Sequence, residues 1–298
     1  METRRLELLM ELQRLGSMRE VADAMELATS TVSQQIAALG REVGVALVEP
    51  EGRRVRLTPA GRRLADHAVS ILAGVEAARH DLEPDAEPVG VVRVAGFASA
   101  IRRSLLPLLA DLAPYPRVQV LIREHEPDEA LDRLAHDDVD LALTYDYNLA
   151  PATVDLPVTS TRLWSTPWCL AVPAGDRQGR EGSSLETFRA YRDAAWIVNS
   201  RSSADEHVVR TLASMAGFEP RLSHRADSLE LVEELVAARL GVGLLPVAAV
   251  APSGVALLPL IDPAVELRAY AVTRRGRARW APLALVLGLL GRSAGGAG

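Results

Sequence analysis

Lysine is missing from this chain altogether, so all 33 of its Lys-plus-Arg cations are arginines. Together with abundant Ala, Gly and Pro, that bias reads as high-GC coding rather than as function. Cysteine occurs once, as Cys169 in the apolar stretch Trp168-Cys169-Leu170-Ala171-Val172. One thiol excludes an internal disulfide and lacks the His/Cys spacing of a metal site, so a buried structural thiol is expected. Positive charge is not in excess either: the formal net charge is −6, which excludes a basic nucleic-acid coat. Any contact with DNA must then come from a local basic face. Crossing a bilayer takes ~20 apolar residues in one helix. Ala281 to Gly291 is too short for that, and Val242 to Ile261 is broken by Pro246, Pro252, Gly254 and Pro259. Met1-Glu2-Thr3-Arg4-Arg5 runs straight into an amphipathic helix, without the apolar core of a signal peptide. A soluble, cytoplasmic protein without a membrane partner is expected. Also missing are a Gly-x-Ser-x-Gly elbow, a metal-spaced His pair and a Walker-type phosphate loop. Neither an enzyme nor a cofactor or metal site is therefore expected.

What is present is organised in blocks. The chain has 298 residues, 48% of them hydrophobic, enough for two or three globular domains. Leu6, Leu9, Met10 and Leu15 share one helical face, and Gly16 ends that helix. Ser17 with Glu20 three residues on reads as a capping box opening a second helix, whose apolar face is Val21, Ala22 and Met25. After a short turn, Val32, Ile36 and Leu39 recur at i, i+4 and i+7 behind the polar front of Thr29, Ser30, Thr31, Ser33 and Gln34. Two short helices joined tightly form a helix-turn-helix, whose second helix presents its first side chains to a major groove. Hydroxyls reach phosphates or base edges, a Thr methyl meets a thymine methyl, and an amide pairs with adenine. An ordinary polar helix face would look similar.

The next segment favours the first reading, although a solvated arginine cluster would look the same. Ala46 to Glu49 and Arg54 to Leu57 flank Pro50-Glu51-Gly52-Arg53 as a hairpin, with Arg53 and Arg54 at a tip suited to phosphate or the minor groove. Thr58-Pro59 then starts a helix that carries Leu64, Ala68, Ile71, Val75, Ala78 and Leu82 at heptad spacing. Spanning roughly 37 Å, it is placed to pair two subunits, or to pack on the chain's own body. Beyond the acidic, Pro-broken run Glu83 to Pro88 the pattern alternates strand and helix. Strands are expected at Val89 to Ala95, Val118 to Arg123, Val139 to Thr144, Trp168 to Val172, Ala195 to Val198, Arg221 to Arg225, Gly241 to Pro246 and Glu266 to Thr273. Continuous apolar strands alternating with helices imply parallel sheets covered on both faces.

The order of helix, capped helix, Thr-x-Val-Ser-Gln-Gln-Ile helix, Gly-turned wing and Arg-Leu-Thr-Pro-Ala-Gly resembles the LysR-type transcriptional regulators. Ala28 and Thr29 stand where that family usually has Ser and then Pro or Gln, which moves the expected cap to Thr29. Gly40 stands where the family often has Glu and is expected to fray the helix end, since Gly costs ~1 kcal/mol relative to Ala. Asp140 to Leu143, Ala216 to Pro220 and Arg239 to Pro246 are similar to the family's effector domain.

The resemblance implies an N-terminal all-α winged helix-turn-helix at 1–58, a linker and dimerisation helix at 59–82 and a hinge at 83–90. An α/β effector domain of the two-lobed periplasmic-binding-protein type (type 2) would follow at 91–298. Lobe I would hold 91–160 and 266–291, and lobe II 161–265. Ligands bind beyond the carboxyl ends of parallel strands, where the loops Phe97 to Ile101 and Asn199 to Ala204 fall. The family likeness carries over Ser99, Thr144, Asn199, Ser200, Ser202 and Ser203 as effector contacts; the serines also serve as helix caps. Arg102, Arg103 and Arg201 are either partners for a carboxylate or solvated. His125-Glu126, Asp128-Glu129 and Asp137-Asp138 read as a solvated acidic face. The implied function is a sequence-specific regulator that binds double-stranded DNA and a small-molecule effector as a homodimer, assembled into a homotetramer. The alternatives are a solute-binding protein or an enzyme on the same two-lobe scaffold.

Overall fold

The computed structural model describes residues 1–51, 54–82, 87–154, 156–176, 182–247 and 253–295, without the side chains of Arg54, Ala77, Arg79, His80, Asp81 and residues 293–295. Helices α1 (Thr3–Leu15), α2 (Met18–Ala24) and α3 (Thr29–Val43) bury Leu6, Leu8, Leu9, Leu12, Val21, Ala22, Val32, Ile36 and Leu39 in one cluster. Each large aliphatic side chain buried there contributes about 1.5–3 kcal/mol. Ser17 Oγ accepts from the Glu20 N–H at 3.4 Å, so the Ser half of the capping box is formed.

Two expectations about α3 are corrected. Its N-cap is Ala28, in extended conformation with no side-chain cap, and Thr29 is the first helical residue. The helix also does not end at Gly40. It continues to Val43, and the Val45 N–H returns to the Gly40 carbonyl at 3.1 Å. A Cβ on Gly40 would stand 3.1 Å from the Val45 carbonyl oxygen, so this glycine makes room for the chain reversal.

Strands β1 (Val48–Glu51) and β2 (Arg54–Leu57) pair antiparallel with Val48 opposite Leu57. Helix α4 (Pro59–Leu82) follows. Thr58 Oγ1 caps it by accepting the Gly61 N–H at 3.0 Å, and donates to the Ala46 carbonyl at 2.8 Å. A Cβ on Gly61 would fall 2.1 Å from the Leu47 carbonyl oxygen. The Thr-Pro-Ala-Gly run is thus the place where α4 crosses the wing backbone at close range.

The heptad seam of α4 divides in two. Ala68 has no exposed surface and Leu64 packs on the same N-terminal core, so these two are occupied by the chain's own α1 side. Ala68 is corrected from a dimer contact to a core residue. Ile71 (36% exposed) and Ala78 remain outward, with Val75 half-buried. A helix lying against its own body must spend one stripe of small residues there, here Ala65, Ala68, Val69 and Ala73.

The rest of the chain forms β3 (Gly90–Gly96), α5 (Ala98–Ala100), a π-helical turn (Ile101–Leu105), α6 (Leu106–Asp111), β4 (Val118–Glu124), α7 (Pro127–Ala135) and β5 (Leu141–Tyr147). Then come β6 (Val158–Pro173), α8 (Ser184–Ala190), β7 (Ala195–Val198), α9 (Ala204–Ala216), β8 (Arg221–Arg225), α10 (Leu229–Ala237), β9 (Val242–Pro246), β10 (Val255–Pro259), β11 (Glu266–Arg274) and α11 (Ala281–Gly295). Strand order is β4-β3-β5-β11-β6-β9-β7-β8, with β10 on β6. Strands β4, β3 and β5 are mutually parallel, as are β8, β7 and β9. The expected all-parallel sheets are interrupted in the middle, where β11, β6 and β10 pair antiparallel. Strand β6 begins at Val158, well before Trp168. Up to Pro167 it pairs with β11, and from Trp168 it pairs with β9 and β10, so one strand serves both lobes.

Candidate functional site

On α3 the buried back fixes the front. With Val32, Ile36 and Leu39 turned inward, Thr29, Ser30, Ser33 and Gln34 are exposed and Thr31 is half-buried, all in the first two turns. Gln35, next to them, is used internally: its Oε1 accepts from Arg5 Nε at 2.9 Å, tying α1 to α3. In the wing, Arg56 pairs with Glu49 at 2.7 Å. Arg53 and the side chain of Arg54 lie outside the described residues.

Between the two α/β lobes lies a cleft of about 870 Å³. Ser99, Arg102 and Arg103 reach it from the turn after β3, and Glu126 from the N-cap of α7. Tyr145 enters from β5, Trp164 and Trp168 from β6, and Asn199, Arg201 and Asp205 from the loop that opens α9. The aromatic wall is interlocked: Phe97 and Tyr145 meet edge-on at 4.7 Å, and Tyr147 and Trp168 at 5.4 Å. The guanidiniums are engaged. Arg201 Nε is 2.9 Å from Asp227, Arg102 is 3.3 Å from Glu230, and Arg103 lies 4.3 Å above the Trp164 ring. Hydrogen bonds from Ser200 and Arg201 hold Asp227 below the usual carboxylate range, against the opposing effect of burial.

Two carboxylates behave differently. Glu126, 5% exposed, accepts from the Tyr145 hydroxyl at 3.0 Å and from Asn199 Nδ2 at 3.4 Å. Burial pushes its carboxyl up to about 7, and the Tyr145 hydrogen bond and the Arg201 charge offset this only in part. Asp205, in the first turn of α9, accepts from the Tyr147 hydroxyl at 2.9 Å, and burial pushes it up to about 6. Both hydrogen-bonded sets join lobe I to lobe II. Glu126 therefore leaves the solvated acidic face to which the sequence assigned it; beside Tyr145 it is part of the cleft.

The expected effector residues are divided by the structure. Ser99 and Asn199 line the cleft. Thr144, Ser202 and Ser203 line a second cavity of about 720 Å³ with Asp146, His207 and Tyr270, and among the described residues only Tyr145 borders both spaces. Ser200 is tied to Asp227, its Oγ donating at 2.6 Å. The division has a geometric cause. Strand residues alternate faces, so Tyr145 rather than Thr144 faces the cleft. The Asn199 side chain accepts from the N–H groups of Arg201 and Ser202 at 2.8 and 2.9 Å, a turn that swings Ser202 and Ser203 away. Glu126, Tyr145, Trp164, Trp168 and Asp205 went unread. Tyr-Asp-Tyr at a strand end and a Glu just before Pro127 were the available signals.

Cys169 is buried on β6 and its thiol is raised by burial. Among the described residues no cluster of His, Cys, Asp or Glu is placed to hold a metal, and no helix is long and apolar enough to cross a membrane.

A helix-turn-helix with a wing, carried by a long helix on a two-lobed domain with a cleft, defines a DNA-binding protein with a small-molecule receptor attached. Known proteins agree. Residues 3–62 match the bacterial regulatory helix-turn-helix of the lysR family, and residues 85–294 the LysR substrate binding domain. The transcriptional dual regulator GltC of Bacillus subtilis is 28% identical over 250 residues, 80% of this chain and 81% of that protein. A probable hydrogen peroxide-inducible genes activator of Streptomyces viridosporus is 31% identical over 270 residues, 88% of this chain and 84% of that one. A full-length OxyR variant from Pseudomonas aeruginosa shares the fold with a TM-score of 0.70 at 19% identity, over 99% of this chain and 94% of that chain. The chain belongs to the LysR family of transcriptional regulators, with a helix-turn-helix DNA-binding domain followed by an effector-binding domain.

Proposed function

We propose that Thr29, Ser30, Thr31, Ser33 and Gln34 read base edges in the major groove while Arg53 and Arg54 of the wing hold phosphate. The observation that carries this reading is the polar front of α3, exposed on a helix whose back is locked into the core. Two chains pair along the outward half of α4, through Ile71, Val75 and Ala78, and two such pairs make a tetramer. Paired recognition helices then meet half-sites one turn, ~34 Å, apart. A small molecule held in the cleft by Ser99 and Asn199 changes the relation of the lobes, which shifts the assembly only by as much as its affinity for the two arrangements differs. The protein works in the cytoplasm, needs no cofactor and does not turn its ligand over.

Selection from a random duplex library with the full chain tests this. The expected product is a pair of inverted half-sites at helical-turn spacing, and failure to enrich any sequence sinks the reading. Ile71→Asp is expected to shift the assembly to smaller species in light scattering, with the monomer fold retained.

Some relatives are named for hydrogen peroxide. In this chain a thiol sensor is disfavoured by its single cysteine, buried on a central strand with a raised pKa.

A further inference from the structure

The cleft has an unbalanced charge pattern. Of the charged side chains lining it, Arg102, Arg103 and Arg201 are already committed to Glu230, to the Trp164 ring and to Asp227. Glu124 at the rim lies 3.8 Å from Arg201. That leaves Glu126 and Asp205, whose hydrogen-bond donors are neutral: two tyrosine hydroxyls, the Asn199 amide and, for Glu126, the backbone N–H of Glu129 in its capping box. Around them stand the rings of Phe97, Tyr145, Trp164 and Trp168, of which Trp164 already carries the Arg103 guanidinium. The Trp168 indole N–H is buried in this wall without a partner among the described residues.

Carboxylates out of water gain most from a cation placed between them. Aromatic faces attract the same charge and cover an apolar body. An anion entering here would meet two acids, and Arg102 and Arg201 already hold carboxylates, which leaves it the Arg103 guanidinium stacked on Trp164. We propose that the effector is a small organic cation, an amine or guanidine on an apolar or aromatic body, with its charged group seated between Glu126 and Asp205. This rests on the reading of the cleft as the effector site. Because Glu126 and Asp205 each take a hydrogen bond from the opposite lobe, a cation seated between them also reaches the contacts that hold the lobes together. That gives the ligand a different affinity for the open and closed arrangements.

The test uses matched probes of one shape and opposite charge. Phenethylamine and tryptamine are titrated into the full chain by calorimetry, alongside 3-phenylpropionate and indole-3-propionate. The amines are expected to bind at least about tenfold more tightly than the acids. Glu126→Gln and Asp205→Asn are each expected to weaken amine binding by about tenfold or more while circular dichroism shows an unchanged fold. Gln still accepts the capping N–H of α7, and if it fails to fold the Asp205→Asn arm decides. Acids binding as well as amines, no amine binding at millimolar concentration, or amine affinity indifferent to both substitutions would each overturn the proposal. Sequence-selective DNA retention by the wild-type chain without ligand is measured alongside. Its loss counts against the regulator reading, whereas its persistence beside failed amine binding counts against the cation alone.

Discussion

Arg274 Nη2 on the last residue of β11 lies 2.8 Å from Asp66 Oδ1 on α4. The same Asp66 oxygen accepts from Gln13 Nε2 on α1 at 3.1 Å, and Arg274 also faces Asp137 at 3.5 Å. One carboxylate therefore touches the DNA-binding domain, the linker helix and lobe I. Gly276, next along, has its Cα so near Ser70 that a Cβ would fall 2.5 Å from the Ser70 Cβ. The effector domain is seated on α4 by charge and by backbone contact together.

Removing one partner of a nearly buried guanidinium costs more than an exposed pair would. Asp66→Asn is expected to destabilise the chain by about 1–2 kcal/mol, since Asp137 still serves Arg274 and Asp66 is partly exposed. Urea denaturation of the two single variants and of Asp66→Asn with Arg274→Met closes a double-mutant cycle. A coupling energy near zero would mean that the contact does not hold the domains.

Gly61→Ala tests the crossing of α4 over the wing. The added methyl meets backbone, the Leu47 carbonyl, which cannot turn aside as a side-chain tip would. A loss of about 2 kcal/mol or more is expected for such overpacking, seen as earlier melting of the N-terminal domain. An unchanged melting temperature would show that the wing backbone moves freely.

For the recognition face, Gln34→Ala is expected to cost about 1–3 kcal/mol in discrimination at one base position. Arg54→Ala should weaken binding to all sequences and flatten the salt dependence by about one phosphate contact. Anisotropy titrations on selected and scrambled duplexes at several salt concentrations separate the two. Equal losses on both duplexes for Gln34→Ala would remove it from base reading.

Glu126 supplies a pH dependence. Its folded-state carboxyl is raised to about 7 by burial, whereas an unfolded glutamate titrates near about 4.3. Folding takes up a proton between those values, so the ionised side chain opposes folding fully above the upper one and not at all below the lower one. The facing groups are Tyr145, Asn199, Arg201, Asp205 and Asp227. Glu126→Gln is accordingly expected to stabilise the chain at about pH 8, by on the order of 3–4 kcal/mol at most. The gain should shrink to about 1 kcal/mol by about pH 5 and vanish below about pH 4. A gap between variant and wild type that stays level across that range would show that Glu126 does not titrate there.

Much of this was legible because helix signals are local. The i, i+4, i+7 pattern of Val32, Ile36 and Leu39 needs no knowledge of what lies behind them, and the α9 span Ala204–Ala216 follows from its own apolar face. The cleft was harder because it depends on parity and on distant partners. Thr144 and Tyr145 are neighbours on β5 and both border the second cavity, yet only Tyr145 of the two also reaches the cleft. Glu126 resembles any acidic loop residue until Tyr145 and Asn199, far along the chain, close over it. Ala68 fits a heptad equally well whether its partner is another chain or its own core.

Strand β6 carries the last consequence. Pro167, opposite Glu266, is the last residue of β6 in register with β11; its carbonyl already accepts the Val247 N–H at 3.0 Å, and at the next residue the strand changes partners from β11 to β9 and β10. The lobes are thus not two shells on a loose strap but two ends of one torsion bar, gripped on either side of Pro167. Trp164 and Trp168 sit on that bar astride Pro167, both lining the cleft. A ligand in the cleft is expected to twist this bar and change the angle between the two indole rings, readable in polarised fluorescence before any DNA is added once Trp196 and Trp280 are replaced by Phe.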